Sequence, residues 1–410
     1  MKTIKDSTLN SCYFMSAGMI TIISIQVTSM YSAMLNFFIE DCVFSILLMM
    51  NLGSIVGFFL SLYVGTEWSK SNTIAITSLI MLVCMLGVFI NTLYFSSEVY
   101  AYYSIFLISF LCGLVNSWRR TLIIGMAAQI SQISIKINTL GTAISGIWTT
   151  VIGTFFSYFF SVGDEKDKEL TISNYKKQFL SMAFFVILSF VWFFYISILW
   201  FRKHPMINQI STEYSVERVK KSKSTIEVLK RSLDINLCII LNLLITANIM
   251  SFWIVESWRK YKSFGTWTVP TFFFASSVCD MLARTIPVRF FIKKSHHFGM
   301  ITCFRVLVIV YFFYIVNFEV DNFWSSELTR AFFVMASGCT GGYVIVSILC
   351  LSRDRFHSSE ERAKCSFYNV LSLLLGWFVG ILFAFFFRAD KNTKLSSFLP
   401  LDISNFIQAL

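Results

Sequence analysis

Charge is the scarcest commodity in this sequence. Asp, Glu, Lys and Arg make up 14% of its 410 residues, against 56% hydrophobic and 17% aromatic side chains, where soluble globular chains carry about 25% charge. With a mean hydropathy of +0.68, the composition excludes an ordinary water-soluble domain and points to a polytopic membrane protein. Histidine is scarcer still. His204, His296, His297 and His357 fall in segments that read as loops, none at ligand spacing from another donor, so no metal site is expected. The ten cysteines form no Cys-x-x-Cys pair and sit mostly inside apolar runs, which excludes a disulfide framework and leaves them as small buried hydrophobes. Nucleophile elbow, phosphate loop and His-Glu-x-x-His helix are all missing. Nothing in the chain argues for an enzyme, and no cofactor is expected. Low-complexity tracts, sequons for N-glycosylation and self-similarity between the halves are absent as well.

What the chain has in abundance is long apolar runs. A helix needs about 18 or more apolar residues to cross roughly 30 Å of hydrocarbon, because lipid offers no partner to open backbone groups. Runs of that kind lie near 11–34, 43–64, 73–95, 101–128, 137–162, 178–201, 235–255, 267–292, 299–317, 330–351 and 366–387, which predicts eleven transmembrane helices. The first run is too long for a signal peptide and lacks a cleavage site, so it reads as a retained helix. Lys and Arg favour the segments that are cytoplasmic if the N-terminus is inside. The C-terminus is then extracytoplasmic; Arg259, Lys260 and Lys262 in one outer loop, and Arg388, Lys391 and Lys394 in the tail, run against this bias.

The longest polar segment, Arg202 to Ser232, is basic and suits the anionic inner leaflet. It divides an all-α chain into a six-helix bundle at 1–201 and a five-helix bundle at 234–387, with the loop at 202–233 and a tail at 388–410. The expected partners are membrane lipid and a small-molecule solute, not nucleic acid, and the chain is expected to be a monomer. The Gly53 to Gly57 stretch has the small-x-x-x-small spacing of close helix contact, read as intramolecular.

Charges inside the spans are costly, about 2.5–3.5 kcal/mol each on insertion scales, and normally face a bundle interior or a wet cavity. The candidates are Arg119, Arg120, Asp280, Arg284 and Arg305. Asp280 and Arg284 are spaced i, i+4 and share a helix face, with Ser277 three residues before. Such a pair either locks two helices or lines a cavity. Arg119 and Arg120 point about 100° apart. Arg120 shares its face with Gly113, Asn116, Ser117 and Ala127, a small and polar stripe that suits a cavity. Arg119 shares its face with Cys112, Val115, Leu122 and Met126, and is expected to bond a helix carbonyl, another helix or a lipid head group. The alternative is that the span ends near Ser117 and both flank a break.

The segment "GLVNSWRRTLIIGMAAQISQISIKINTLGTAISG", with Asn116, Gly125, Ala127, Gly141 and Gly146, resembles the fourth and fifth spans of the equilibrative nucleoside transporters. "DMLAR" and "CFRVLVIVYFF" resemble that family's eighth and ninth spans, and "GGYVIVSILCL" its tenth. The resemblance implies a fold of the major facilitator kind, with bundles of six and five helices around a central cavity. It also implies facilitative, alternating-access transport of purine nucleosides or nucleobases, most naturally at the plasma membrane. The family's cavity-facing Asp and Arg, which bond the ribose hydroxyls, correspond to Asp280 and Arg284. Arg305 corresponds to an arginine with a structural role, and Arg119, Gly141 and Gly146 are also expected to be structural. Trp118, Trp148, Trp267 and Tyr343 are candidates to stack on a base, although such aromatics fill a core more often than they hold a ligand.

The sequence departs from the family at several points. Ala283 and Gly341 replace a Gly and an Asn, Ser277 stands where Asn is common, and the first span lacks the Pro-Trp-Asn motif, leaving Gln26 and Tyr31 as its cavity candidates. Arg120 falls where members often carry a Gln that reads the base. A guanidinium fork can bond O6 and N7 of a 6-oxopurine together, whereas the amino group of adenine opposes it with a donor. The substrate-binding set is therefore Asp280, Arg284, Arg120, Asn116, Ser277, Gln26 and Tyr31, with a bias toward 6-oxopurines. A carrier of nucleotides or other anions and a transport-inactive receptor or scaffold are the alternatives.

Overall fold

The computed structural model describes residues 8–21, 23, 42–64, 70–94, 98–160, 168–203, 225–250, 257, 268–318 and 323–389. Its elements are α1 (8–21), α2 (Cys42–Val64), α3 (Lys70–Tyr94), α4 (Glu98–Ile130), α5 (Gln132–Phe159) and α6 (Lys168–Lys203) in the first half. The second half holds α7 (Thr225–Asn248), α8 (Thr268–Thr285), α9 (Ser295–Asn317), α10 (Glu327–Asp354) and α11 (Ser359–Ala389). Gln26, Tyr31, Trp267 and most of the basic loop lie outside the described residues. Among the described residues seven helices, α3 to α6 and α9 to α11, are long and apolar enough to cross a bilayer. Their outward faces carry large apolar side chains such as Val83, Leu107, Phe155, Leu188 and Leu307, all more than half exposed, as lipid contact requires.

The helices begin and end where local chemistry dictates. Hydropathy marks only the hydrocarbon-facing part, and polar turns extend α6, α7 and α11 beyond it, so α6 starts at Lys168 rather than 178 and α7 at Thr225 rather than 235. Ion pairs at i, i+4 accompany two of these extensions, Arg231 with Glu227 at 2.8 Å and Lys364 with Glu360 at 2.7 Å. In the other direction, α8 stops at Thr285 instead of 292. Pro287 lacks an N–H and biases the residue before it away from helix, so the chain turns into a short 3-10 segment, Val288–Phe290. α4 and α5 are separated only by Ser131, which is extended and accepts a hydrogen bond from the Ser134 N–H at 3.0 Å as an N-cap.

Glycines weld the helices in pairs. A Cβ on Gly18 or Gly141 would run into the facing backbone between α1 and α5, and the same holds for Gly53, Gly57 and Gly113 between α2 and α4. In the second half Gly338 and Gly342 bring α10 onto α8, and Gly376 and Gly380 bring α11 onto α7. The "GSIVG" glycines thus serve an intramolecular crossing. The pairing 1 with 5 and 2 with 4 returns as 7 with 11 and 8 with 10, a repeat that the residue types do not display.

The two bundles meet through α5 on α8 and α10 and through α4 and α2 on α11. Their cores divide by depth. One apolar core, including Leu122, Ile123, Ile135, Ile239, Val344, Ile348, Leu349 and Leu373, draws on both bundles at the end that carries the α4–α5 and α10–α11 joints. Toward the opposite end the described core residues form two separate groups, one around Met81, Met85 and Val186 in the first bundle and one around Ile245, Val308 and Phe312 in the second.

Candidate functional site

The site grows from α8. Asp280 and Arg284 form a two-point ion pair, Arg284 Nε to Asp280 Oδ1 at 3.0 Å and Nη2 to Oδ2 at 2.8 Å. The remaining Arg284 nitrogen, Nη1, leaves the bundle and donates to the Thr139 carbonyl at 2.5 Å and the Thr142 hydroxyl at 2.6 Å on α5. One guanidinium therefore ties α8 to itself and to the other bundle. The pair is largely buried, with side-chain exposures of 15% for Arg284 and 23% for Asp280, and lies in the last two turns of α8 where that helix meets α5. Thr139 and Thr142 belong to the site and carry no sequence signal beyond being hydroxyls on a span.

Arg120 lies on α4. It sits in an unbroken helix, Glu98–Ile130, and is partly exposed although Arg119, Thr121, Leu122 and Ile123 around it are buried. Arg120 belongs to the first bundle and Arg284 to the second. Among the described residues the Arg120 guanidinium has no hydrogen-bond acceptor.

The other interior arginines are built into helix contacts. Arg119 is fully buried and donates to Ser78 Oγ at 3.1 Å, Thr21 Oγ1 at 3.4 Å and the Ala17 carbonyl at 3.3 Å, joining α4 to α3 and α1. Arg305 is fully buried as well and reaches across to α7, donating to the Asn242 carbonyl at 2.8 Å, the Asn242 side chain and Thr246 Oγ1 at 2.6 Å. Gly341 makes room for it, since a Cβ there would lie 3.1 Å from Arg305 Nη2. Arg330, at the start of a span, is not among the residues that the sequence singles out; it is fully buried, bonds the Ser257 carbonyl at 3.2 Å and lies over the Phe272 ring at 5.8 Å.

The remaining candidates divide. Asn116 is buried and donates to the Thr21 carbonyl at 2.9 Å, tying α4 to α1. Ser277 is partly exposed one turn before Asp280. Gly141 abuts the Met15 carbonyl, and the Gly146 carbonyl accepts from Thr150 Oγ1 at 2.8 Å. Of the aromatic candidates for stacking on a base, Tyr343 instead donates to the Phe290 carbonyl at 2.8 Å at the closed end, Trp118 packs on the shared core, and Trp148 is 41% exposed.

Around that shared core the bundles are also bolted by side chains. Arg353 donates to the Ala128 carbonyl at 2.9 Å, Lys136 to the Thr285 carbonyl at 2.8 Å and Gln132 to the Asp354 carboxylate. Cys350 Sγ lies 3.9 Å from the Gln132 carbonyl. Ion pair and bolted end thus lie along one seam between two bundles.

No protein-family model matches the sequence, and no curated protein matches it significantly. Solved structures do. The proton:xylose symporter XylE bound to 6-bromo-6-deoxy-D-glucose aligns over 94% of this chain and 89% of its own, with TM-score 0.58 and 15% identity. XylE from E. coli in a partially occluded inward open conformation aligns over 94% and 99% of the two chains, with TM-score 0.53 and 14% identity. The fold is that of the major facilitator superfamily. XylE in its inward open conformation aligns over 97% of this chain with TM-score 0.50 and 14% identity. Within this fold of two helical bundles, Arg120, Thr139 and Thr142 come from the first bundle and Asp280 and Arg284 from the second. The nucleoside-transporter resemblance rests on the sequence motifs.

Proposed function

We propose that the protein is an alternating-access carrier for purine nucleosides or nucleobases, working facilitatively and favouring 6-oxopurines. The observation that carries this reading is the Asp280–Arg284 pair, partly exposed on the seam and hydrogen-bonded across it to α5. A carboxylate accepts and a guanidinium donates, so vicinal sugar hydroxyls, which do both, suit the pair. That chemistry fits a ribose, and it is in keeping with the sugar named for the XylE complex. Arg120, in the first bundle, presents the planar fork that bonds O6 and N7 of one purine edge.

The cycle follows from the seam. With the N-terminus cytoplasmic, the bolted end is the inner one. A substrate that accepts from Arg284 competes with Thr139 and Thr142 for the same guanidinium. Binding then loosens an α5–α8 tie, and the inner end opens once Arg353, Lys136 and Gln132 release their partners. This couples occupancy to motion through a difference in contacts, as any ligand-driven change requires.

The test is uptake of labelled inosine, adenosine and hypoxanthine into liposomes holding the purified protein, beside Asp280→Ala and Arg284→Ala. Saturable uptake that unlabelled inosine blocks and both variants lose is expected. Flux no greater than in empty liposomes, from protein shown to be folded, would overturn the reading. Equal competition by adenosine and inosine in both wild type and Arg120→Gln would remove the 6-oxopurine preference alone.

A further inference from the structure

The turn that joins α8 to α9 is built as a fixed basic platform. Between Asp280 and Glu319 the chain holds no acidic residue, while Arg289, Lys293, Lys294, His296 and His297 crowd into its first half. Buried side chains anchor the same stretch. Phe291 and Phe298 enter the core shared by the bundles, Phe291 meets the Tyr343 ring edge-on at 6.1 Å, and the Tyr343 hydroxyl donates to the Phe290 carbonyl at 2.8 Å. Pro287 and the 3-10 turn that follows fix the backbone on the α8 side. The five basic side chains between and beside these anchors are all exposed, the two histidine rings lying 4.2 Å apart.

Exposed apolar groups flank the cations. Phe290 is 60% exposed, with the Arg289 guanidinium 4.8 Å from its ring centroid, and Leu282 and Met300 are 55% and 71% exposed. Such a mixture suits the boundary of a bilayer, where apolar side chains enter the acyl layer and basic ones reach the head groups. The start of α9 calls for an anion as well. Its first turn contains no acid, although a helix N-terminus carries about half a positive charge that acidic groups ordinarily answer. Lys294, His296 and His297 add to that field. Acids at the same end of the molecule are engaged elsewhere, Asp354 with Arg353 and Gln132, Asp234 with Arg355 and Glu360 with Lys364.

We propose that the α8–α9 turn binds an anionic phospholipid of the leaflet at the bolted end, its head group held by Arg289, Lys293 and Lys294 and its acyl chains lying along Phe290 and Met300. Charge selects the anionic lipid over a zwitterionic one, and the apolar rim selects a lipid over a free phosphate, which gains nothing from Phe290, Leu282 or Met300. The site adjoins the contact between the bundles, because Lys136 donates at 2.8 Å to the Thr285 carbonyl, two residues before Pro287. It takes its lipid whatever solute the carrier moves.

Native mass spectrometry of the intact protein in detergent micelles, titrated with phosphatidylserine or phosphatidylcholine of matched chains, reads the binding. Phosphatidylserine is expected to bind at least about tenfold more tightly; Arg289→Gln, Lys293→Gln and Lys294→Gln should each weaken it about fivefold and the triple variant about a hundredfold, with phosphatidylcholine unmoved. Arg202→Gln with Lys203→Gln removes exposed cations from the end of α6 on the same side and should keep the preference. Thermal melts of the single variants should match wild type, and these carry the test if the triple variant melts early. Equal binding of the two lipids by folded wild type, or a preference that the variants retain, overturns the proposal. A loss in the α6 variant as large as in the turn variants overturns it too, by assigning the effect to general surface charge. Inorganic phosphate or glycerophosphoserine competing as well as the intact lipid overturns it in favour of a simple anion site.

Discussion

Gly342 on α10 lies directly against the Asp280 carboxylate on α8, so closely that a Cβ would overlap both the carboxylate and the Asp280 backbone. The position of the acid is therefore set by an absence of side chain on a neighbouring helix. Gly342→Ala should push α8 away and misplace Asp280, at a stability cost of about 1–3 kcal/mol as for other overpacked sites. Uptake should fall at least about tenfold, since sub-ångström misplacement of a binding group is costly. Gly125→Ala, with nothing within 4 Å of its Cβ, is the matched control and should transport normally. Equal transport by the two variants would sink the idea.

Arg284 is expected to tolerate no conservative replacement. Lysine has one ammonium and cannot hold both Asp280 oxygens and reach Thr139 and Thr142 at once. Arg284→Lys should keep the fold by thermal melt and lose uptake by roughly ten- to a hundredfold, the equivalent of one charged hydrogen bond at about 1.5–3 kcal/mol. Wild-type uptake in the lysine variant would show that the fork is unnecessary.

Thr142→Val removes one of the two α5 acceptors with little change in shape. Hydrogen exchange in the first turns of α5 and the last turn of α8 should rise, because that end opens more often. Exchange unchanged from wild type would mean that the tie bears no strain in the closed state.

The bolted end offers a trap that uses a native thiol. Cys350 already approaches the Gln132 carbonyl, so oxidation of Gln132→Cys should join α5 to α10 and halt uptake until a reductant is added. Uptake that continues with the bridge formed, as read by mass spectrometry, would show that this end does not need to open.

Arg305 tests the division between binding and structural arginines. Arg305→Met keeps much of the volume and removes the charge, whereas Arg305→Ala leaves Asn242 and Thr246 facing a void. The alanine variant should melt lower than the methionine variant by about 2 kcal/mol or more in equivalent stability. A methionine variant that binds inosine normally would confirm that Arg305 never touches substrate.

Legibility in the residues depends on whether a feature is local. Eleven apolar runs announce themselves, and the i, i+4 spacing of Asp280 and Arg284 is enough to place them on one helix face. Helix ends differ from the apolar runs by up to ten residues at α6 and α7 because charged amphipathic turns look like loop to a hydropathy scale, though Pro287 carries the signal for the early stop of α8. Arg330 escapes notice because it stands at the edge of a run, where a charge is normally solvated. The cross-bundle acceptors of Arg284, Arg353 and Lys136 are not legible at all: each is a backbone carbonyl or a threonine on a distant helix, and a carbonyl has no letter in the sequence.

The glycine-welded helix pairs have a mechanical consequence. Where backbones touch without intervening side chains there is nothing soft to deform, so α1 with α5, α2 with α4, α7 with α11 and α8 with α10 behave as stiff double rods. Compliance is then concentrated at the seam, where, among the described residues, hydrogen bonds from Arg284, Arg353, Lys136 and Gln132 and a shared apolar core hold the halves. A drug-sized molecule lodged in that seam would act as a wedge, stopping the machine by geometry even if it imitates no part of the cargo.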